Sequence, residues 1–179
     1  MRHHRLTIAL GLALLLITAV PAFAEHHETI DPFAADWQWG IADASGKLSQ
    51  LAEAIPADKY SWKPNDEVRS VSEVFMHVVG ANYFIGRALG LEVPEGITQD
   101  MEKTVTSKEE VMKHLEASFA HLGTTDLSAE NFDDQIPFFG GQNWSRRRIL
   151  FLLMAHAHEH LGQSIAYTRS MGIAPPWSN

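Results

Sequence analysis

The sequence predicts an all-α fold, a four-helix bundle with long connections between its helices. Three observations lead to this prediction. Apolar residues recur at helical spacing in four segments, capping signals open and close these segments, and no alternating strand pattern of useful length appears. The 179-residue chain contains no cysteine, which excludes disulfides and thiolate zinc sites.

The N-terminal residues have the features of a targeting segment. A basic start precedes an apolar run over residues 6–20, and residues 22–24 (Ala-Phe-Ala) match the small-x-small pattern of signal-peptidase cleavage. We therefore expect residues 1–24 to be a cleaved signal peptide and residues 25–179 to be one exported domain, periplasmic or secreted, with no stable membrane anchor. The alternative is an uncleaved anchor, but the run is shorter than the roughly 20 apolar residues that span a bilayer.

The first helix is predicted to begin at Pro32 and to end near Ile55. Asp31 is a suitable N-cap, and proline is favoured at the first helical position. Pro56 disfavours the helical conformation in the residue before it, so the helix ends there.

The second and third helices are each predicted to start at a capping box. Residues 70–73 (Ser-Val-Ser-Glu) start the second helix, which ends by Gly90. Residues 107–110 (Ser-Lys-Glu-Glu) start the third helix, which Gly123 closes. We expect a loop between these two helices.

The fourth helix is predicted over residues 144–171, with Asn143 as its N-cap and Gly172 at its end. The stretch before it is rich in Asp and Gly and is expected to be irregular. Within that stretch, residues 136–139 (Ile-Pro-Phe-Phe) suit a short extended piece, because proline and aromatic residues fit an edge strand better than a helix.

Two histidines of the fourth helix indicate a metal site. His156 and His160 are four residues apart, so their imidazoles stack on one helical face, and that face is the apolar, core-facing one. His77 lies on the inward stripe of the second helix and is the candidate third ligand. Three imidazoles and a water would form an open site of the catalytic zinc type. The alternative interpretation is that all three are core histidines.

Two further residues near this pattern are ambiguous. Glu73 is a weak catalytic candidate, as a general base or as an acceptor for a ligand imidazole, but its place in the capping box is the favoured interpretation. His158 falls on the opposite face of the fourth helix together with Phe151 and Ile165, so it cannot share a metal with His156. That second apolar strip is expected to be covered by the same chain or by a second subunit, which makes a homodimer possible.

The two histidine-bearing segments together resemble those of the DinB-like (YfiT-related) superfamily of metalloenzymes. The resemblance rests on residues 69–84 and on residues 156–163 (His-Ala-His-Glu-His-Leu-Gly-Gln), followed by the Arg and Gly-x-x-Pro-Pro of residues 167–176. It implies a four-helix bundle, often dimeric, with a divalent metal on His77, His156 and His160. Relatives with known activities include thiol-dependent S-transferases and isomerases, whereas a signal peptide departs from their usual cytosolic setting.

The sequence therefore predicts an exported, divalent-metal-binding protein that acts as a metal-dependent transferase or hydrolase on a small-molecule substrate. Zinc is the first candidate metal, and nickel, iron and copper are the others, because imidazole suits all four. A non-catalytic metal- or ligand-binding helical bundle of the cell envelope is the alternative, and a noncovalent haem bundle is a third. The formal net charge of −8 argues against a nucleic-acid partner.

Overall fold

The computed structural model of the protein describes residues 30–178. The predicted signal peptide, residues 1–24, lies outside this range. The described part is mostly helical, as predicted, and adds one small sheet. Its elements are α1 (Pro32–Ala54), α2 (Val71–Gly86), α3 (Met101–Thr104), α4 (Lys108–Leu122), β1 (Gln135–Pro137), β2 (Asn143–Ser145) and α5 (Arg146–Ser170).

The four long helices pack around one apolar core. Helix α2 contacts α4 and α5, and α1 contacts the same two helices. Each long helix contributes fully buried side chains, for example Leu48, Phe75, Leu115 and Leu153. Burial of one such side chain stabilises the fold by about 1.5–3 kcal/mol. The core therefore fixes α2 and α5, which carry the three candidate histidines, against each other.

The predicted boundaries of α1 and the predicted start of α2 are confirmed. The Asp31 carboxylate accepts hydrogen bonds from two backbone amides of the first turn of α1, and Ile55 is the C-cap. Ser70 and Glu73 form the complete capping box at the start of α2, with each side chain accepting from the other residue's backbone amide. These caps satisfy amides that a helix end leaves unpaired.

The predicted start of the fourth helix is wrong by two residues. Helix α5 begins at Arg146, and Ser145 is its N-cap, because the Ser145 hydroxyl accepts a hydrogen bond from the Arg148 amide. Asn143 instead lies in β2, which pairs antiparallel with β1. Pairing with β1 in a short antiparallel hairpin outweighed the local preference of Asn143 for a cap position.

The segment predicted as a loop before the third helix contains a short helix. Helix α3 has four residues, which is too short for apolar periodicity to reveal it. It packs against α2. This contact carries Glu102 towards His77.

The outer strip of α5 is only partly covered. Phe151 is 57% exposed. His158 and Ile165 are half-buried, and the Nδ1–H of His158 donates to the Met154 carbonyl of the preceding turn. A homodimer remains a prediction. Among residues 30–178, no helix has both the length and the apolar character needed to cross a membrane.

Candidate metal centre

Three histidines, one from α2 and two from α5, lie together in the structure. His77, His156 and His160 each offer one ring nitrogen, and these three nitrogens lie within 4.8 Å of one another. The Nε2 atoms of His77 and His156 are 3.2 Å apart. His160 is buried, and the other two rings are half-buried. The structure thus assembles the predicted group, at a place that solvent can reach.

The tautomer of His77 is set by a carboxylate from α3. Its Nδ1–H donates to an oxygen of Glu102 at 2.9 Å, because a carboxylate can only accept. The other oxygen of Glu102 accepts from the Nε of Arg69 at 2.8 Å. Burial disfavours ionisation of this carboxyl, but the hydrogen bonds from Arg69 and His77 outweigh burial and hold the pKa of Glu102 below its usual value. In the neutral imidazole, this donation from Nδ1 places the lone pair on Nε2.

The tautomer of His160 is set by an amide on the same helix. The Nε2 of Gln163 donates to the Tyr167 hydroxyl at 3.2 Å, which turns the Gln163 oxygen towards His160. The Nδ1–H of His160 donates to that oxygen at 2.8 Å. The Tyr167 hydroxyl in turn donates to the Arg69 carbonyl at 3.1 Å. This chain of hydrogen bonds leaves the Nε2 of His160 free to act as a ligand.

The third histidine is held neutral by its surroundings. Burial, together with the nearby His160, His77 and Arg69, lowers the pKa of His156 to about 4. Burial also lowers the pKa of His160, although the hydrogen bond to Gln163 opposes this. Neutral imidazole is the form that binds a metal ion.

The donor set fits a divalent metal ion. Two nitrogens bound to one tetrahedral zinc at 2.0–2.1 Å lie about 3.3 Å apart, close to the 3.2 Å between His77 and His156. Metal-bound imidazoles in proteins usually donate their second N–H to a carboxylate or another acceptor. Glu102 and Gln163 supply such acceptors to His77 and His160. The three histidines could therefore hold a metal ion.

An open cavity of about 510 Å³ adjoins this group. One wall is a face of α2, and α5 supplies Leu152 and His156. The segment through α3 and the turn between β1 and β2 complete the lining. The lining residues are Met76, His77, Val79, Gly80, Ala81, Phe84, Ile85, Ile97, Thr98, Gln99, Met101, Glu102, Phe139, Leu152 and His156. Two of the three histidines thus lie in a cavity large enough for a small molecule.

Comparisons with known proteins agree on one family. A family model described as the DinB family matches residues 32–179. The chain belongs to the DinB family. The uncharacterized protein YjoA of Bacillus subtilis is 28% identical over 127 residues, which are 69% of this chain and 81% of YjoA.

Two solved DinB-like structures have the same fold. A DinB-like protein from Bacillus cereus has a TM-score of 0.66 at 19% identity, with 82% of this chain and 95% of that chain covered. The structure of YjoA has a TM-score of 0.59 at 27% identity, with 76% of this chain and 92% of that chain covered. The helical architecture predicted from the sequence is therefore that of the DinB family.

In this DinB-family chain, the other predicted residues lie away from the three histidines or have other partners. Glu73 has both carboxylate oxygens engaged, by the Ser70 amide at 2.7 Å and by the Lys103 ammonium at 2.9 Å. His158 faces Asp43, with 3.7 Å between the ring nitrogen and the carboxylate. Neither residue lines the cavity.

Sequence reasoning missed Glu102 and Gln163 as partners of the two imidazoles. Gln163 had a usable signal, because it lies three residues after His160 and so shares its helical face. Glu102 had none, because it lies in a segment without periodicity, 25 residues from His77.

Proposed function

We propose that this DinB-family protein is a metal-dependent enzyme, a transferase or a hydrolase, with a divalent ion held by His77, His156 and His160. The observation that carries the proposal is the set of three converging ring nitrogens, of which two have their tautomers fixed by Glu102 and Gln163. A divalent ion held there would supply Lewis-acid chemistry. We further propose that the packing of the four long helices is a four-helix bundle.

Zinc is the proposed metal. It accepts three histidines in tetrahedral catalytic sites and leaves a fourth position for water or substrate. Nickel, iron and copper also bind imidazole, so selectivity depends on geometry and on metal supply. The adjoining cavity, which His77 and His156 line, has room for a small-molecule substrate beside an ion held there.

A second candidate function is a non-catalytic metal- or ligand-binding module. One observation favours it: the two carboxylates near the group, Glu73 and Glu102, each have both oxygens engaged in hydrogen bonds or ion pairs. A general base needs a free oxygen within hydrogen-bond reach of the proton that it removes.

Metal analysis tests the metal site. Purified wild type is expected to contain stoichiometric metal, and His77→Ala and His156→Ala are expected to lose it. His158→Ala is the matched control, because His158 is on α5 but outside the group. Full metal retention in both ligand variants, with folding shown by circular dichroism, would refute the assignment.

Substrate screening then separates the enzyme from the binding module. Esters and electrophilic acceptors paired with thiols would be assayed on the zinc-loaded wild type and on His156→Ala. Turnover that requires the metal supports the enzyme. Stoichiometric metal with no turnover across both substrate classes supports the binding module.

Export and homodimer formation are also proposed. The apolar run over residues 6–20 and the Ala-Phe-Ala sequence before Glu25 support cleavage there. Mass spectrometry of the protein from an exporting host is expected to give a chain that starts at Glu25. The outer apolar strip of α5, which includes the exposed Phe151 and the half-buried Ile165, supports a subunit contact, and sedimentation of the mature chain tests it.

A further inference from the structure

The cavity beside the three histidines is lined mostly by apolar side chains. Of the residues that the structure describes, no lysine or arginine lines it. Glu102 is the one acidic side chain in its lining, and both of its oxygens are engaged by Arg69 and His77. The remaining polar lining groups outside the histidines, Thr98 and Gln99, are uncharged. A second charged group on a bound molecule would therefore find no counter-ion there.

One glycine keeps the cavity open. Gly80 lies inside α2 and lines the cavity, and a Cβ atom built on it would meet no atom within 4 Å. Glycine inside a helix costs stability relative to alanine. At Gly40, by contrast, a Cβ would lie 2.4 Å from the sulfur of Met154, so a side chain there would have to displace Met154. At Gly80 no packing reason exists, and the space that a side chain would occupy is part of the cavity.

An aromatic side chain at the mouth of the cavity is largely exposed. Phe139 lies at the turn between β1 and β2 and is 66% exposed, yet it lines the cavity. The next two residues, Gly140 and Gly141, both have positive φ, at 66° and 72°, which shapes the turn. A large apolar ligand in the cavity would cover the exposed face of Phe139, which favours binding.

We propose that the substrate of this site is a molecule with one metal-binding group and an otherwise uncharged, apolar body that fills the cavity. The metal-binding group of this substrate rests on the proposed function. The uncharged, apolar body rests on the lining of the cavity alone. A carboxylate carried by that body would lose its hydration without gaining a cation, and desolvation of an unpaired charge is costly. Anionic substrates, including thiols with several carboxylates, are therefore selected against.

A matched pair of chelators tests the proposal on the zinc-loaded protein. Octanohydroxamate and the monohydroxamate of suberic acid carry the same metal-binding group on an eight-carbon chain, but the second ends in a carboxylate. We expect octanohydroxamate to bind at least tenfold more tightly by calorimetry. Equal affinities, tighter binding of the carboxylate, or binding of neither compound by protein that holds zinc would overturn the proposal.

A glycine pair locates the binding. Gly80→Leu places a side chain in the cavity and should weaken octanohydroxamate at least tenfold with zinc content unchanged. Gly46→Leu is the control, because Gly46 lies in α1, outside the cavity lining, and its Cβ would also meet nothing within 4 Å. Equal affinity in both variants would show that the ligand binds elsewhere and refute the proposal.

A metal-independent measurement separates this inference from the proposed function. Octan-1-ol and octanoate would each displace 1-aminoanthracene from the metal-free full chain. A tenfold preference for the alcohol that Gly80→Leu removes supports the apolar cavity even if the wild type fails to hold zinc. No preference overturns the inference even if the metal site is confirmed.

Discussion

Two carboxylates near the start of α2, Glu73 and Glu102, have similar surroundings and different partners. Glu73 lies in the first turn of α2 and binds the Ser70 amide and the Lys103 ammonium. Glu102 lies in α3 and binds the Arg69 guanidinium and the imidazole of His77. One carboxylate therefore stabilises a helix end, and the other orients a candidate metal ligand.

The difference shows that closeness in sequence to His77 does not determine which carboxylate hydrogen-bonds to its ring. Glu73 is one turn from His77 on the same helix, but the Ser70 amide of the capping box and the Lys103 ammonium occupy its two oxygens. Glu102 reaches His77 from a separate segment and accepts its ring N–H at 2.9 Å. We expect substitutions of these two residues to have separable effects.

Among the substitutions proposed for these residues, Glu102→Gln is expected to change metal affinity most. Glu102→Gln removes the charge that orients and polarises His77, and loss of such a partner typically lowers metal affinity about 10–100-fold. Glu73→Gln makes the same chemical change outside the group and should alter affinity by less than about twofold. Competition with a chromophoric chelator for zinc measures both.

The contrast between the two glutamine variants decides the outcome. A drop in affinity of similar size in both would mean that the carboxylates act through general electrostatics or through the shared fold. Thermal unfolding of the metal-free variants separates these two causes. If the shared fold is damaged, the melting temperatures of both variants fall below that of wild type.

A smaller effect on metal affinity is expected when His160 loses its hydrogen-bond acceptor, Gln163. Gln163→Leu removes a neutral acceptor from the Nδ1–H of His160 and keeps a side chain of similar size. A neutral hydrogen bond contributes about 1 kcal/mol, less than one to a charged group, so zinc affinity should fall about fivefold. The same chelator competition measures it, and a fall as large as that of Glu102→Gln would contradict the ranking of the two acceptors.

The sequence predicted the ligand-bearing side chains better than their partners. Helical periodicity placed His156 and His160 on the inner face of α5, and the inward stripe of α2 selected His77, because both patterns reflect burial. Nothing comparable marked Glu102. Its four-residue helix has no periodicity, and its charge did not distinguish it from the other acidic residues of the same segment.

The start of α5 illustrates the same limit. Asn143 and Ser145 are both good capping residues, and local preference cannot choose between them. The choice is made by pairing of β2 with β1 in a short hairpin, whose three-residue strands have little pattern of their own. The bodies of the long helices, by contrast, were predictable because each carries its own apolar face at helical spacing.

Removal of the Ser70 hydroxyl tests whether the capping box stabilises the fold without affecting the candidate metal site. Ser70→Ala deletes the hydroxyl that accepts from the Glu73 amide, and loss of a serine N-cap costs about 1 kcal/mol of stability. Urea unfolding of metal-free protein measures the change. Zinc affinity should stay within about twofold of wild type, and a larger change would mean that the capping box also positions His77.

The charge of Glu73 is expected to make only a small, pH-dependent contribution to the free energy of unfolding. The hydrogen bond from Lys103 lowers the pKa of Glu73, although burial opposes this, and the bond from the Ser70 amide lowers it further. A carboxyl with a lowered pKa in the folded state stabilises the protein above its unfolded pKa of about 4.3, and this contribution is lost as the pH falls through the folded pKa.

Glu73→Gln removes that contribution and leaves the other titrating groups in place. Because Lys103 is exposed, the variant should lose only a few tenths of a kcal/mol at pH 6, and the difference from wild type should shrink towards zero near pH 3. Paired urea titrations of the metal-free proteins at both pH values measure this. A difference in stability that is the same at both pH values would show that Glu73 acts through hydrogen bonds that do not depend on its charge. Of the two carboxylates, only Glu102 would then act through its charge.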